Sequence, residues 1–213
     1  MLFGRISLLL LRDTRGTAAL EYAFAGPPFI ALLTGILYIA LADVGQSGLE
    51  TAAESAGRLV MTGQAQSGSV TNAANHTDVG MTAADFKQAI CSGTTITEQN
   101  GTVATVGKML PPFLTCSRLT VIVAPATYSQ SALTLQYNAN GTVNTGANGG
   151  YTPAPAGGGQ NQVMMVQLIY DWPTFNGLMG LNLANEQNGN RRLVATSLFT
   201  TEAYDCAATQ ASC

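Results

Sequence analysis

The dominant feature of the hydropathy pattern is a stretch without charge. No Asp, Glu, Lys or Arg occurs from Tyr22 to Ala42, about 21 residues, and a helix needs about 20 apolar residues to cross a bilayer. Pro27 and Pro28 fall inside it and predict a kink, because neither can donate a backbone hydrogen bond. Membrane helices tolerate such a break when neighbours or local water satisfy the freed carbonyls. The helical pattern continues past Ala42. Val44, Leu49, Ala52, Ala53, Ala56, Leu59 and Val60 recur at three- and four-residue spacing, with Glu50, Glu54 and Arg58 elsewhere on the cylinder. Glu54 precedes Arg58 by four, the favourable order for an ion pair, and Gly63 is a natural stop. From near Thr17 the spacing predicts one helix of about 45 residues, roughly 65–70 Å long.

Beyond Gly63 the pattern shortens. Residues 64–80 are polar and read as loop. The run 82–91 reads as a short helix, with Thr82 as N-cap and Asp85 three positions on. Four runs rich in β-branched or aromatic residues read as strands: Arg118–Ala124, Ala132–Tyr137, Gln162–Tyr170 and Leu193–Thr201. Gly, Asn and Pro fill 138–160, which reads as a loop between strands. The stretch 172–183 is apolar and short. It suits a buried connection, or a surface that meets a partner or the membrane interface. The expected fold class is α+β: a long N-terminal transmembrane helix followed by a small external domain with an antiparallel sheet of about four strands.

Composition agrees with membrane attachment or export. Only 10% of residues are charged, while 46% are hydrophobic, which is too little charge for a disordered polyampholyte. The net charge of −3 disfavours nucleic-acid binding. The flanks orient the helix. Arg5, Arg12 and Arg15 precede the uncharged run, whereas Asp43, Glu50 and Glu54 follow it before the first basic residue, Arg58. The positive-inside rule therefore places the N-terminus in the cytoplasm and the remainder outside. A cleaved secretory signal ending at Ala40-Leu41-Ala42 is the rival reading. The apolar run exceeds the 7–15 residues or so of a signal core, and Glu21 stands at its edge.

Glu21 is the informative residue of this region. A carboxylate at the start of an apolar helix must be solvated, protonated or paired. Around it stand Arg15-Gly16-Thr17-Ala18-Ala19-Leu20-Glu21-Tyr22. Gly, four residues, Glu-Tyr and then an apolar helix resembles the processing site of the tight-adherence (Tad/Flp) pilins. The stretches 15–66 and 162–204, the latter with Val-Gln-Leu-Ile-Tyr-Asp-Trp-Pro at 166–173, are similar to the TadE family of minor pseudopilins. They cover a little under half of the chain. The Gly/Asn-rich stretch 138–160 and the tail bearing Cys206 and Cys213 depart from that family's usual pattern.

The resemblance implies a basic leader, residues 1–16, removed by a prepilin peptidase at the Gly16–Thr17 bond. It implies a helix over 17–64 that includes the transmembrane segment 22–42, and a periplasmic α+β domain over 65–213. The new ammonium at Thr17 would pair with Glu21 of its own or an adjacent subunit, offsetting part of the desolvation cost. The implied partners are the prepilin peptidase, other pilin and pseudopilin subunits of the Tad machinery and inner-membrane lipid. The implied role is assembly of a tight-adherence type IV pilus that supports surface adhesion and biofilm formation. The rival of a different class is a single-pass, membrane-anchored periplasmic binding module without a pilus role.

All four cysteines follow the apolar run, where an even count favours disulfides. Three pairings are open. The family resemblance implies a central pair, Cys91 and Cys116, which leaves Cys206 with Cys213. Closing the loop from 91 to 116 is worth about 3–4 kcal/mol in the chain-entropy model. Enzymatic chemistry finds little footing. Gly101 to Gly107-Lys108 has five intervening residues where a phosphate-binding loop has four, and Met109 where Ser or Thr would hold Mg²⁺. His76 lies in a polar loop without a nucleophile partner. No cofactor or metal is expected, and the chain is not expected to be an enzyme.

Overall fold

The computed structural model describes residues 17–70, 80–97, 101–126, 138, 143–145, 150–153, 160–174, 183–186 and 189–203. The protein is α+β. Helix α1 spans Thr17–Met61, followed by α2 (Gln64–Ser67), β1 (Ser69–Val70), α3 (Ala83–Ser92), β2 (Thr94–Thr97), β3 (Val103–Val106), a 3-10 turn (Cys116–Arg118), β4 (Leu119–Pro125), β5 (Val163–Pro173) and β6 (Asn190–Thr200). Two compact units partition the chain: 1–42 with 175–182, and 43–174 with 183–213.

Helix α1 runs 45 residues without interruption, through Pro27 and Pro28. It stops where the sequence suggested. Gly63 adopts the left-handed conformation (φ 78°), its amide donates to the Val60 carbonyl, and Thr62 N donates to the Arg58 carbonyl. Helix α3 opens on a complete capping box. Asp85 N donates to Thr82 Oγ1, and the Asp85 carboxylate accepts from Thr82 N (3.1 Å).

The larger sheet has the order β4-β5-β6, antiparallel throughout, with Val166 facing Val123 on one side and Ser197 on the other. Strand β5 is its centre. Its run Val163–Tyr170 is apolar apart from Gln167, and it is buried on both faces from Met164 to Tyr170. That is how a central strand reads when neither face meets water. Gln167 is accommodated because its Nε2 donates to Thr196 Oγ1 on β6. A smaller antiparallel sheet, β1-β2-β3, stands beside it in the element order.

The second unit's core joins residues 49–60 of α1 to one face of the larger sheet. Leu49, Ala52, Ala53, Ala56, Leu59 and Val60 cluster with Leu119, Val123, Met164, Val166, Leu168, Tyr170, Leu193 and Ala195. Phe86 and Ile90 of α3 and Ile96 of β2 complete it. Small helix residues allow the close approach. A Cβ on Gly45 would meet the Trp172 ring at 2.9 Å, and one on Gly57 would meet Ser197 Oγ and Phe199 at 3.0 Å. Strand β6 therefore follows the helix, with Leu193 beside Gly45 and Ser197 beside Gly57.

Several expectations change. Val44 is exposed, and the residue that packs on the sheet beside it is Gly45. Residues 64–80, expected as loop, contribute α2 and β1. The sheet β1-β2-β3 was not anticipated, because its strands are two to four residues long and mostly polar or weakly apolar. Three of the four expected strands are present as β4, β5 and β6, whereas 132–137 lies outside the described residues. Most of the apolar stretch 172–183 and most of 138–160 also lie outside them.

The small-residue face predicts a stability effect. Gly57→Leu must push aside Phe199 and Ser197, and overpacking of this kind costs about 1–3 kcal/mol. The denaturation midpoint of the detergent-solubilised chain should fall accordingly, while an exposed-position control such as Glu54→Leu should leave it nearly unchanged.

Candidate functional site

The first unit holds the residues that carry the strongest functional signal. Helix α1 from Ala19 to Met61 is long and apolar enough to cross a membrane. Most of its N-terminal half is exposed: Leu20, Tyr22, Phe24, Phe29, Ile30, Leu32, Leu33, Ile36, Leu37, Ile39 and Leu41 all face outward, while Ala31 and Tyr38 are buried. So many exposed large apolar side chains on one helix call for lipid or for other helices. Pro27 and Pro28 leave the carbonyls of Ala23 and Phe24 without their usual donors. One turn further on, the Thr34 hydroxyl donates to the Ile30 carbonyl (2.9 Å), as Ser and Thr do inside apolar helices.

Of the expected processing residues, Gly16 lies outside the described residues, and Thr17 opens α1. Glu21 and Tyr22 are exposed. Thr17 and Glu21 are four positions apart in one helix, so their backbones stand about one turn apart. A chain beginning at Thr17 would carry its ammonium one turn from the Glu21 carboxylate, within reach of a charge pair along the same helix or across to a neighbour.

Cys91 and Cys116 form a disulfide with a Cα–Cα distance of 5.7 Å and a sequence separation of 25. It ties the end of α3 to the 3-10 turn that precedes β4. Cys206 and Cys213 lie outside the described residues, as does His76. Gly101 and Lys108 flank β3, with Gly101 in a tight bend at φ 81°. Among the described residues no group of three or more His, Cys, Asp or Glu side chains is placed to hold a metal ion.

Two polar features escaped the sequence reading. Arg192 is buried at the start of β6, with Nε donating to Asp171 Oδ1 at 3.0 Å and Nη1 lying 3.2 Å from Glu186 Oε1. Its backbone N donates to Asn185 Oδ1 (2.7 Å), and the Thr174 hydroxyl donates to the Gly189 carbonyl. This network fixes the described ends of the β5–β6 connection. Its sequence signal is the pairing of Asp171 with Arg192 directly across the strands, which needs the register to be known. The second feature is Tyr151. Its ring packs on Phe86 with centroids 5.4 Å apart, and its hydroxyl is buried without a hydrogen-bond partner among the described residues. Burial pushes its pKa up, and the nearby Asp85 carboxylate pushes in the same direction.

No protein-family model, curated protein or solved structure matches the chain. Function therefore rests on the chain's own chemistry.

Tyr151 makes a test of this electrostatic picture. A tyrosine whose folded pKa lies above its unfolded value stabilises the fold fully below about pH 10 and loses that contribution as pH rises further. Tyr151→Phe removes a buried hydroxyl without a partner, so the variant should be as stable as the parent, or more so by up to about 1 kcal/mol, at neutral pH. Denaturant midpoints near pH 8 and near pH 11 should show a smaller alkaline loss in the variant.

Proposed function

We propose that this chain is a TadE-like minor pseudopilin: a single-pass inner-membrane protein with its N-terminus cytoplasmic and its folded domain periplasmic. It is trimmed between Gly16 and Thr17 by a prepilin peptidase and joins a tight-adherence pilus through α1. Its role is structural and not enzymatic. The observation that carries the reading is the division of labour within one uninterrupted helix. Residues 22–41 carry no charge and expose most of their large apolar side chains, with Ala31 and Tyr38 buried, while residues 49–60 form one wall of an α+β core.

The pattern suits a subunit that must live in two environments. In the bilayer, the exposed side chains of α1 meet lipid, where a helix satisfies its own backbone groups. In a filament, the same side chains meet the helices of neighbouring subunits, and little about the helix has to change between the two. The Gly16-x4-Glu21-Tyr22 pattern stands at the boundary between the basic leader and the apolar run. A glycine before the cut lets the extended backbone enter a protease cleft. Glu21 supplies a carboxylate one turn from the new terminus. Pairing with an ammonium offsets the cost of holding it among apolar helices, and an unpaired carboxylate there is costly.

In a host with its prepilin peptidase, Gly16→Ala should accumulate as the uncut precursor, read as a gel shift and by intact mass. Normal trimming of that variant would remove the specificity argument. Glu21→Ala should be trimmed and inserted but missing from sheared pilus fractions probed by immunoblot. Incorporation at the parental level would show that the carboxylate is dispensable.

A further inference from the structure

One face of the N-terminal half of α1 is covered, and the helix cannot cover it alone. Tyr38 is 8% exposed, whereas Leu37 and Leu41 are 63% and 58% exposed. Its neighbours one turn away on the helix are Thr34, Gly35, Leu41 and Ala42. Three of these are small and the fourth is itself exposed, so they do not hide a phenol ring. Ala31 and Ala42 are buried as well, and Gly35 is half-buried. Positions 31, 35, 38 and 42 follow helical spacing and mark one continuous face about 17 Å long.

The make-up of the first unit says what the cover is. Its described residues are 17–42 of α1 alone. None of Ala31, Tyr38 and Ala42 joins the core cluster of the second unit. Besides the chain's first 42 residues, the first unit holds one other segment, Phe175–Asn182. That segment reads Phe-Asn-Gly-Leu-Met-Gly-Leu-Asn. It carries no charge, and Phe175, Leu178, Met179 and Leu181 suit an apolar surface. Gly177 and Gly180 let a backbone come close to a helix. Asn176 and Asn182 bring amides, and a buried tyrosine hydroxyl calls for a hydrogen-bond partner. Eight residues reach about 26 Å when extended, enough to run the length of the face.

We propose that residues 175–182 cover the Ala31–Tyr38–Ala42 face of α1, as a wedge that the chain sets against its own apolar helix. Tyr38 precedes Ala42, the end of the uncharged run, by about 6 Å of helix. The wedge therefore acts at the C-terminal end of that run. It takes one face of the helix away from lipid and from other chains. Phe29, Leu33 and Ile36, on the opposite side by helical spacing, stay exposed for them. The inference needs neither the leader cut nor the pilus role, and it stands or falls apart from both.

The test uses the full chain in phospholipid vesicles, with p-benzoylphenylalanine in place of Tyr38 and, as a control, in place of Leu37. After illumination, proteolysis and mass analysis identify what each photoreactive ring has joined. The ring at position 38 should join a peptide that contains residues 175–182 of the same chain, and the ring at position 37 should join lipid. Leu178→Asp with Met179→Asp should abolish the cross-link from position 38. A ring at position 38 that joins lipid, a second copy or a peptide without these residues overturns the proposal. So does one that joins nothing while the control reacts. An undiminished cross-link in the double variant would show that apolar packing does not hold the segment, and would overturn it too. Retention of the Cys91–Cys116 bond, read by non-reducing peptide mapping, checks that each variant has folded.

Discussion

Everything in the folded domain depends on how closely residues 45–60 of α1 approach the β4-β5-β6 sheet. Gly45, Ala52, Ala53, Ala56 and Gly57 present almost no side chain, so the sheet's own Trp172, Leu193, Ser197 and Phe199 can lie against the helix. Dispersion falls off steeply with distance, so this proximity is what makes the contact strong. Glycine in a helix interior costs about 1 kcal/mol relative to alanine. The packing at Gly45, Gly48 and Gly57 offsets that cost, because a larger residue would lift the helix off its support. Residues 45–60 of α1 thus form one wall of the domain.

Much of this was legible in the sequence because it is written in local rules. An uncharged run followed by apolar residues at helical spacing needs only periodicity to be read, and it led to the continuous α1. Thr82 with Asp85, and Gly63 after the last periodic residue, are short-range signals that the structure realises as a capping box and a left-handed stop. The apolar run in β5 pointed to a strand, although its burial on both faces emerges only with its two partners in place.

What the sequence hid depends on contacts distant along the chain. Gly45 and Gly57 carry no hydropathy signal, so a periodic reading assigned Val44 to the packed face when the helix turns that side chain outward. The β1-β2-β3 sheet joins strands such as Thr94–Thr97, whose polar residues carry little strand signature. Arg192 is buried against every general expectation for an arginine. Its two carboxylates, Asp171 and Glu186, meet it only through the β5–β6 register and the turn that precedes β6. For the candidate site the balance is different. Gly16, Thr17, Glu21 and Tyr22 form a linear signal, read by spacing alone. The structure adds that Thr17 and Glu21 belong to one continuous helix.

The central claim is that residues 22–42 remain in the finished protein as a lipid-spanning rod, freed at its cytoplasmic end. The most direct measurement is the intact mass and N-terminal sequence of the mature chain recovered from the membrane fraction. The account predicts a chain that begins at Thr17. A water-soluble chain that begins at Asp43 would contradict it.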